Sequence, residues 1–199
     1  MDWREIEGFF SEQDAADYRY LYGLLPNGAA SVEVGCFRGK SLACVSDIIL
    51  KSDLRVLAVD PFDIVDNPEY VEPGVETRKT GMYEDFVSTM DLCGIQNQVF
   101  VETGLSEIVA YNIHDEFDLV FVDGNHDYEP VKADIDAWGP LIKEGGILCG
   151  HDWDEKGASW PGVHKAVVEK LGWPWYNDHI WAFRKVNGEF TPLEKLEKK

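Results

Sequence analysis

Val32-Glu-Val-Gly-Cys-Phe-Arg-Gly-Lys-Ser-Leu42 starts in a β-branched run, passes Glu33, Gly35 and Gly39, and enters a helical pattern. This predicts a strand, a glycine turn and a helix start. At such a turn a ligand can approach bare backbone and meet the positive end of a helix. The spacing is acidic-x-Gly-x-x-x-Gly, not the Gly-x-Gly-x-x-Gly of a dinucleotide pyrophosphate site. Gly39-Lys40-Ser41 also lacks the upstream glycine of a phosphate-binding loop. The acid at Glu33 would repel a phosphate and attract a cationic or amino-bearing ligand.

Outward from this turn, apolar runs of strand length fall at 30–34, 55–59, 98–101, 118–122, 147–149, 173–176 and 180–184. Helical periodicity covers 14–25, 40–50, 82–92, 105–111, 128–142 and 163–171. Strands alternating with helices predict an α/β fold, with a mostly parallel seven-stranded sheet covered by helices on both faces. The chain reads as one domain over 1–199. An N-terminal helix (14–25) precedes a cofactor-binding half (30–111) and a catalytic or substrate half (118–185), and a charged tail (193–199) follows. Residues 61–80, rich in Asp, Glu, Pro and Gly, read as a long loop of the kind that serves as a lid.

At 199 residues with 45% hydrophobic and 13% aromatic content, the chain can bury roughly 70% of its unfolded surface. The formal charge of −19, from 18 basic and 37 acidic residues, opposes nucleic-acid binding, which relies on Lys and Arg neutralising phosphates. It suits a small-molecule enzyme or a user of divalent cations, and equally a surface selected for solubility. No apolar run approaches a membrane span, and Met1-Asp-Trp-Arg-Glu-Ile-Glu7 lacks the features of a signal peptide. A cytoplasmic protein without nucleic-acid or membrane partners is expected. The four cysteines, Cys36, Cys44, Cys93 and Cys149, form no Cys-x-x-Cys pair and read as small buried thiols.

In a parallel sheet of this kind, ligands bind beyond the carboxyl ends of the strands. Asp60 closes the second strand, where an acid can accept both hydroxyls of a ribose, or serve only as a turn residue before Pro61. Thr103, Gly104 and Ser106 follow the third strand and could meet an adenine edge or cap a helix. After the fourth strand comes Asp123-Gly-Asn-His-Asp-Tyr128, and after the fifth Gly150-His-Asp-Trp153. These two loops bring Asp123, His126, Asp127, His151 and Asp152 together. Asp123, His151 and Asp152 offer oxygen atoms and one imidazole to Mg²⁺ or Mn²⁺. His126 would be left as a base toward a reacting hydroxyl. The other reading is that Asp123 orients a loop and the histidines are ordinary polar residues. Trp153 and Trp160 flank the last loop and could wall a substrate pocket or simply pack.

Across roughly 30–185 the chain resembles class I S-adenosylmethionine-dependent methyltransferases, in particular the small O-methyltransferase branch that includes sugar and macrolide O-methyltransferases. The resemblance rests on the opening stretch, Val59-Asp60-Pro-Phe, Phe117-Asp-Leu-Val-Phe-Val-Asp-Gly-Asn-His-Asp-Tyr-Glu, Leu141-Ile-Lys-Glu-Gly-Gly-Ile-Leu-Cys-Gly-His-Asp-Trp153 and Pro161-Gly-Val-His-Lys-Ala-Val. It implies a Rossmann-like, doubly wound sheet and S-adenosyl-L-methionine as cofactor. Glu33, Gly35 and Gly39, with Cys36, Phe37 and Ser41 of the same motif, match the part that binds the methionine moiety. Asp60-Pro61 matches the ribose site. Asp123, His151 and Asp152 fall where cation-dependent catechol-type relatives place three metal ligands, although those relatives have Asp-Asn where this chain has His151-Asp152. His126 falls near their catalytic lysine.

The activity these readings imply is O-methylation of a small hydroxyl compound, with a sugar or sugar-bearing metabolite favoured, Asp123 and His126 at the reacting centre, and a divalent metal assisting. The alternatives are an NAD-dependent oxidoreductase, which the glycine spacing opposes, and a non-catalytic adenosyl-ligand binding or assembly protein with a retained fold.

Overall fold

The alternation of strand and helix patterns becomes a single twisted sheet in the computed structural model, which describes residues 2–62 and 81–194. β1 (Ala30–Val34), β2 (Arg55–Val59), β3 (Val99–Glu102), β4 (Phe117–Val122) and β5 (Ile142–Gly150) pair in parallel in the order β3-β2-β1-β4-β5. The order reverses between β1 and β4, which places the crevice for a ligand above those two strands. β7 (Ile180–Val186) lies antiparallel beside β5. Two short strands share its outer edge: β6 (Trp175–Asn177) along Ile180 to Ala182, and β8 (Glu189–Pro192) along Phe183 to Val186.

Among the described residues the sheet therefore has eight strands rather than the expected seven. The additional strand follows Asn187-Gly188, both with positive φ (53° and 80°), a two-residue hairpin turn of the kind Asn-Gly favours. The Glu144 carboxylate accepts from the amides of both turn residues. Leu193, read as the first residue of a charged tail, is buried against the core, its amide donating to the Ala182 carbonyl at 3.2 Å. Residues 195–199 and most of the expected lid loop (63–80) lie outside the described residues.

One face of the sheet carries α1 (Glu12–Tyr22), α2 (Lys40–Cys44), α3 (Ser46–Lys51) and α4 (Met82–Leu92). The other carries α5 (Ser106–Tyr111), α6 (Tyr128–Trp138) and α7 (Pro161–Leu171). The helix expected over 40–50 is interrupted at Val45 (φ −109°). The Cys44 carbonyl there accepts from the Arg19 guanidinium of α1, which takes an acceptor from the helical ladder and bends it. Alternation along the strands sends Leu119 and Phe121 to the α1 side, and Val120 and Val122 to the α6 side. Val32 and Val34 of β1 face α6, so Ser31 and Glu33 face α1, and this parity decides what Glu33 can do. Among the described residues no helix is long and apolar enough to cross a membrane.

Candidate active site

The glycine turn is clamped from two sides. Gly35 (φ +84°) donates its amide to the Val59 carbonyl at 2.9 Å, and a Cβ built on it would lie 2.0 Å from the Asp123 carbonyl oxygen. Only glycine allows that approach, so the turn after β1 and the loop after β4 touch through bare backbone. Asp60, at the end of β2, accepts from the amides of Cys36 (2.7 Å) and Phe37 (2.9 Å) through Oδ2, and from Phe62 (2.6 Å) through Oδ1. Burial pushes its carboxyl above the usual range, and the three amide bonds oppose that rise. Carboxylate oxygens have lone pairs to spare, so Asp60 can organise the turn and still accept from a ligand.

Glu33 is placed differently from its expected direct encounter with a cationic group. It is fully buried below the turn, with Tyr18 Oη donating to one oxygen at 2.6 Å and Ser41 Oγ to the other at 2.6 Å. Burial lifts its carboxyl to about 8, although the hydroxyl bonds pull the other way. At neutral pH it is a largely uncharged brace joining β1, α1 and α2. Ser41 is likewise committed to that brace. Cys36 is buried, its thiol donating to the Glu33 carbonyl and shifted well upward by burial, which removes it as a nucleophile. Phe37 is half-buried with φ +46°, and Pro61 is exposed.

After β3, Thr103 is exposed and the Gly104 amide points to the Asp60 carbonyl at 3.4 Å. Neither Thr103 nor Ser106 caps α5, whose N-cap is Leu105. Ser106 Oγ accepts from Trp138 Nε1 at 2.6 Å, so this hydroxyl ties α5 to α6.

The loops after β4 and β5 meet as their register requires, Val122 opposite Gly150. The Asp123 amide donates to Val34 (2.8 Å) and the His151 amide to Val122 (3.1 Å). Four of the predicted residues converge here. His126 Nε2 lies 2.7 Å from Asp152 Oδ2, and His151 Nδ1 lies 3.4 Å from Asp152 Oδ1 and 3.5 Å from Asp123 Oδ1. Asp152 holds a left-handed backbone (φ +60°), a strained conformation for a non-glycine residue that is retained where geometry is functional. Burial opposes charge on both histidines, but the carboxylates outweigh it. His126 is raised, chiefly by Asp152, and His151 well above the ordinary value, chiefly by Asp123. Asp152 is held low by the two imidazoles despite its burial, while Asp123 is pushed up by burial. Asp127 sits at the start of α6, exposed, and takes no part.

Asp123, His151 and Asp152 present one ligand atom each within 4.8 Å of one another. They line, with His126 and Val122, a cavity of about 10 Å³, room for one water-sized particle. That donor set and volume fit a single divalent cation, with Asp152 Oδ2 left for His126. Trp160 lies against the His126 ring (4.3 Å, 32°), whereas Trp153 is fully buried and stacked on His164. Trp160 is thus the wall residue, and Trp153 is packing.

Two residues of this neighbourhood had no motif to reveal them. Asp14 of α1 lies 3.3 Å from His151 Nε2, and His179 of the β6–β7 turn lies 3.4 Å from Asp14. Neither residue falls at the end of a parallel strand, where the search for ligands is directed.

Comparison with known proteins gives the family and the fold. Residues 32–153 match the family described as methyltransferase domain. The apo structure of CalS11, a TDP-rhamnose 3'-O-methyltransferase of calicheamicin biosynthesis, is similar at a TM-score of 0.58 and 18% identity, covering 88% of this chain and 81% of that one. Cofactor-bound Rv0187 from MTB is similar at a TM-score of 0.66 and 16% identity, covering 92% and 84%. At these identities the two structures share the fold. An uncharacterized protein, R132, of Acanthamoeba polyphaga mimivirus is 23% identical over 141 residues, 69% of this chain; the chain spans 59% of the length of that curated relative.

Proposed function

We propose, for a chain that belongs to the methyltransferase domain family, S-adenosylmethionine-dependent O-methylation of a small hydroxyl compound, with a sugar or sugar-bearing metabolite as the favoured acceptor. The observation that carries this reading is the His126–Asp152 pair at 2.7 Å, set beside Asp123, whose backbone rests on the glycine turn through Gly35. S-adenosylmethionine, when bound, supplies a methyl group on a sulfonium, transferred in line to an oxygen. The chain's own residues do the rest. Gly35 lets the Asp123 loop close on the turn and Gly39 lets Met90 and Phe86 of α4 pack on it, which fixes the turn that would receive the methionine part, and Asp60 would accept from the ribose hydroxyls. Asp152 fixes the His126 ring through Nε2 and would stabilise the imidazolium that forms when the ring takes the acceptor's proton. Trp160 lies against the His126 ring and walls the acceptor's approach to it. Most of the acceleration comes from holding the two reacting atoms in contact.

Asp123, His151 and Asp152 would hold Mg²⁺ or Mn²⁺, whose contribution is to lower the pKa of the acceptor hydroxyl and orient it. Melting of the protein should rise with S-adenosylhomocysteine and not with NADH, and labelled methyl should pass to members of a sugar and phenol panel. Absence of any shift with S-adenosylhomocysteine refutes the reading; binding without turnover across the panel makes the protein a ligand-binding module. EDTA should abolish turnover and Mg²⁺ or Mn²⁺ restore it, whereas full turnover in chelator removes the metal and leaves His126 or His151 as a simple acid-base residue.

The cofactor assignment has its own test. Asp60→Ala should weaken S-adenosylhomocysteine binding by at least about tenfold, the equivalent of one charge-assisted hydrogen-bond pair, measured by calorimetric titration. Unchanged affinity would show that Asp60 only pins the turn.

A further inference from the structure

His151 is wedged between two sets of acids, one at each ring nitrogen. Nδ1 faces Asp123 and Asp152, the site already described. Nε2 faces Asp14, a carboxylate that is 1% exposed, and beyond Asp14 stands His179 on the β6–β7 turn. We propose that Asp14, His151 Nε2 and His179 Nδ1 form a second metal site, distinct from the Asp123 cluster, that takes a zinc-type first-row ion. This goes beyond the methyl-transfer reading and does not depend on it.

The donor set is the first argument. Two imidazole nitrogens and one carboxylate suit zinc and its neighbours rather than magnesium, which prefers oxygen. The spacing is the second. Asp14 Oδ2 lies 3.3 Å from His151 Nε2, and Asp14 Oδ1 lies 3.4 Å from His179 Nδ1. Donors bound at about 2.0–2.1 Å around a tetrahedral ion stand about 3.3 Å apart, while an octahedral magnesium shell would draw them to about 2.9 Å. All three ligand atoms fall within 4.8 Å of one another.

The third argument is the unmet hydrogen bonds. Asp14 Oδ1 and His151 Nε2 are both buried, and each has only a long ion-pair neighbour and no hydrogen bond, a costly arrangement for polar atoms that a bound ion would relieve. Asp14 Oδ2, by contrast, is satisfied by the Ser11 amide at 2.8 Å. Oδ1 faces His179 Nδ1 at 3.4 Å while Oδ2 faces His151 Nε2 at 3.3 Å, so the two oxygens of Asp14 together face the ion's position.

The scaffold holds these residues in place from several directions. The capping box of Ser11 and Asp14 fixes the first turn of α1. Asn177 donates its side-chain amide to both oxygens of Asp17, at 2.9 and 2.8 Å, which docks the β6–β7 turn on α1. The His179 carbonyl accepts from the Trp153 amide at 2.9 Å. Phe10 closes one side of His151, ring centroids 5.5 Å apart. His179 is half exposed and gives an ion its entry path and a position for water as fourth ligand. With an ion on Nε2, the proton of His151 resides on Nδ1 and points to Asp123 and Asp152, the carboxylate–histidine–metal arrangement that orients imidazole ligands, so a metal at the Asp123 cluster would then be held by Asp123 and Asp152 without His151. Occupancy of one face thereby sets what the other face can bind.

The test uses tag-free full-length protein and Co²⁺ as a coloured substitute for Zn²⁺. Titration should give the intense visible bands of a four-coordinate ion, displaced by Zn²⁺. His179→Ala, a change at a half-exposed turn, should weaken binding by at least about tenfold and remove the bands, while Asp123→Asn should keep them. Absence of Co²⁺ binding by the wild-type protein overturns the site and leaves the cluster as ion pairs. Bands that survive His179→Ala, or that vanish in Asp123→Asn, overturn it equally, since both place the ion on the other nitrogen.

Discussion

Gly35→Ala should cost the protein about 2–5 kcal/mol of stability, enough to unfold a marginally stable domain near physiological temperature. Two effects add. The backbone at Gly35 is left-handed (φ +84°), which costs a side-chain-bearing residue about 1–2 kcal/mol. The new methyl would also meet the Asp123 carbonyl oxygen at 2.0 Å, its carbon at 2.5 Å and Gly124 Cα at 2.7 Å. All three are main-chain atoms at the end of β4. They cannot retreat, because the Asp123 amide is bonded to Val34 and β1 and β4 are paired up to Val34 and Val122. Gly28→Ala is the control. Its φ is +74°, but nothing lies within 4 Å of the added Cβ, so it carries the conformational cost alone. Urea midpoints at unchanged m-value compare the two. Equal losses would mean that the contact between the glycine turn and Asp123 is not as close as described.

His126→Gln should lower kcat by about 10²- to 10⁴-fold, the range spanned by general-base catalysis, while leaving S-adenosylhomocysteine affinity within a factor of about two. The glutamine keeps a polar contact to Asp152 and cannot accept the proton. The pH profile supplies the second readout. Asp152 and Asp123 raise the His126 pKa against the opposing effect of burial. A base acts when deprotonated, so the acid limb of the wild-type profile should fall at a pH above the ordinary histidine value of about 6.5, with activity rising as pH increases through it. That limb should disappear in His126→Gln. A profile and rate unchanged by the substitution would assign the proton to another acceptor and remove His126 from the reaction.

Much of the architecture was legible because it depends on short-range patterns. β1 and β2 run over the residues expected, and α4 over 82–92, since buried parallel strands and an amphipathic helix each carry a periodic apolar signature. The helix break at Val45 was not legible. It depends on an Arg19 side chain arriving from α1 at the Cys44 carbonyl, and no local pattern encodes a long-range donor. β8 was legible and overlooked: Asn187-Gly188 between two β-prone runs is a strong hairpin signal. In the site, the strand-end rule brought Asp123, His126, His151 and Asp152 together, because parallel register fixes which loops are neighbours, but Asp127, expected with them, stays exposed at the start of α6.

The sequence by itself determined the parallel sheet, the glycine turn and the carboxyl-end cluster, since these follow from periodicity, from the special backbone of glycine and from connectivity. Only the tertiary structure decided which way each side chain is spent. The parity of β1 turned Glu33 inward to Tyr18 and Ser41, so an acid that reads as a ligand contact became a buried brace. Packing of α1 and the β6–β7 turn against the end of β5 brought Asp14 and His179 to the far nitrogen of His151. Residues so far apart in the chain meet through helix and hairpin docking, a contact for which sequence spacing carries no signal.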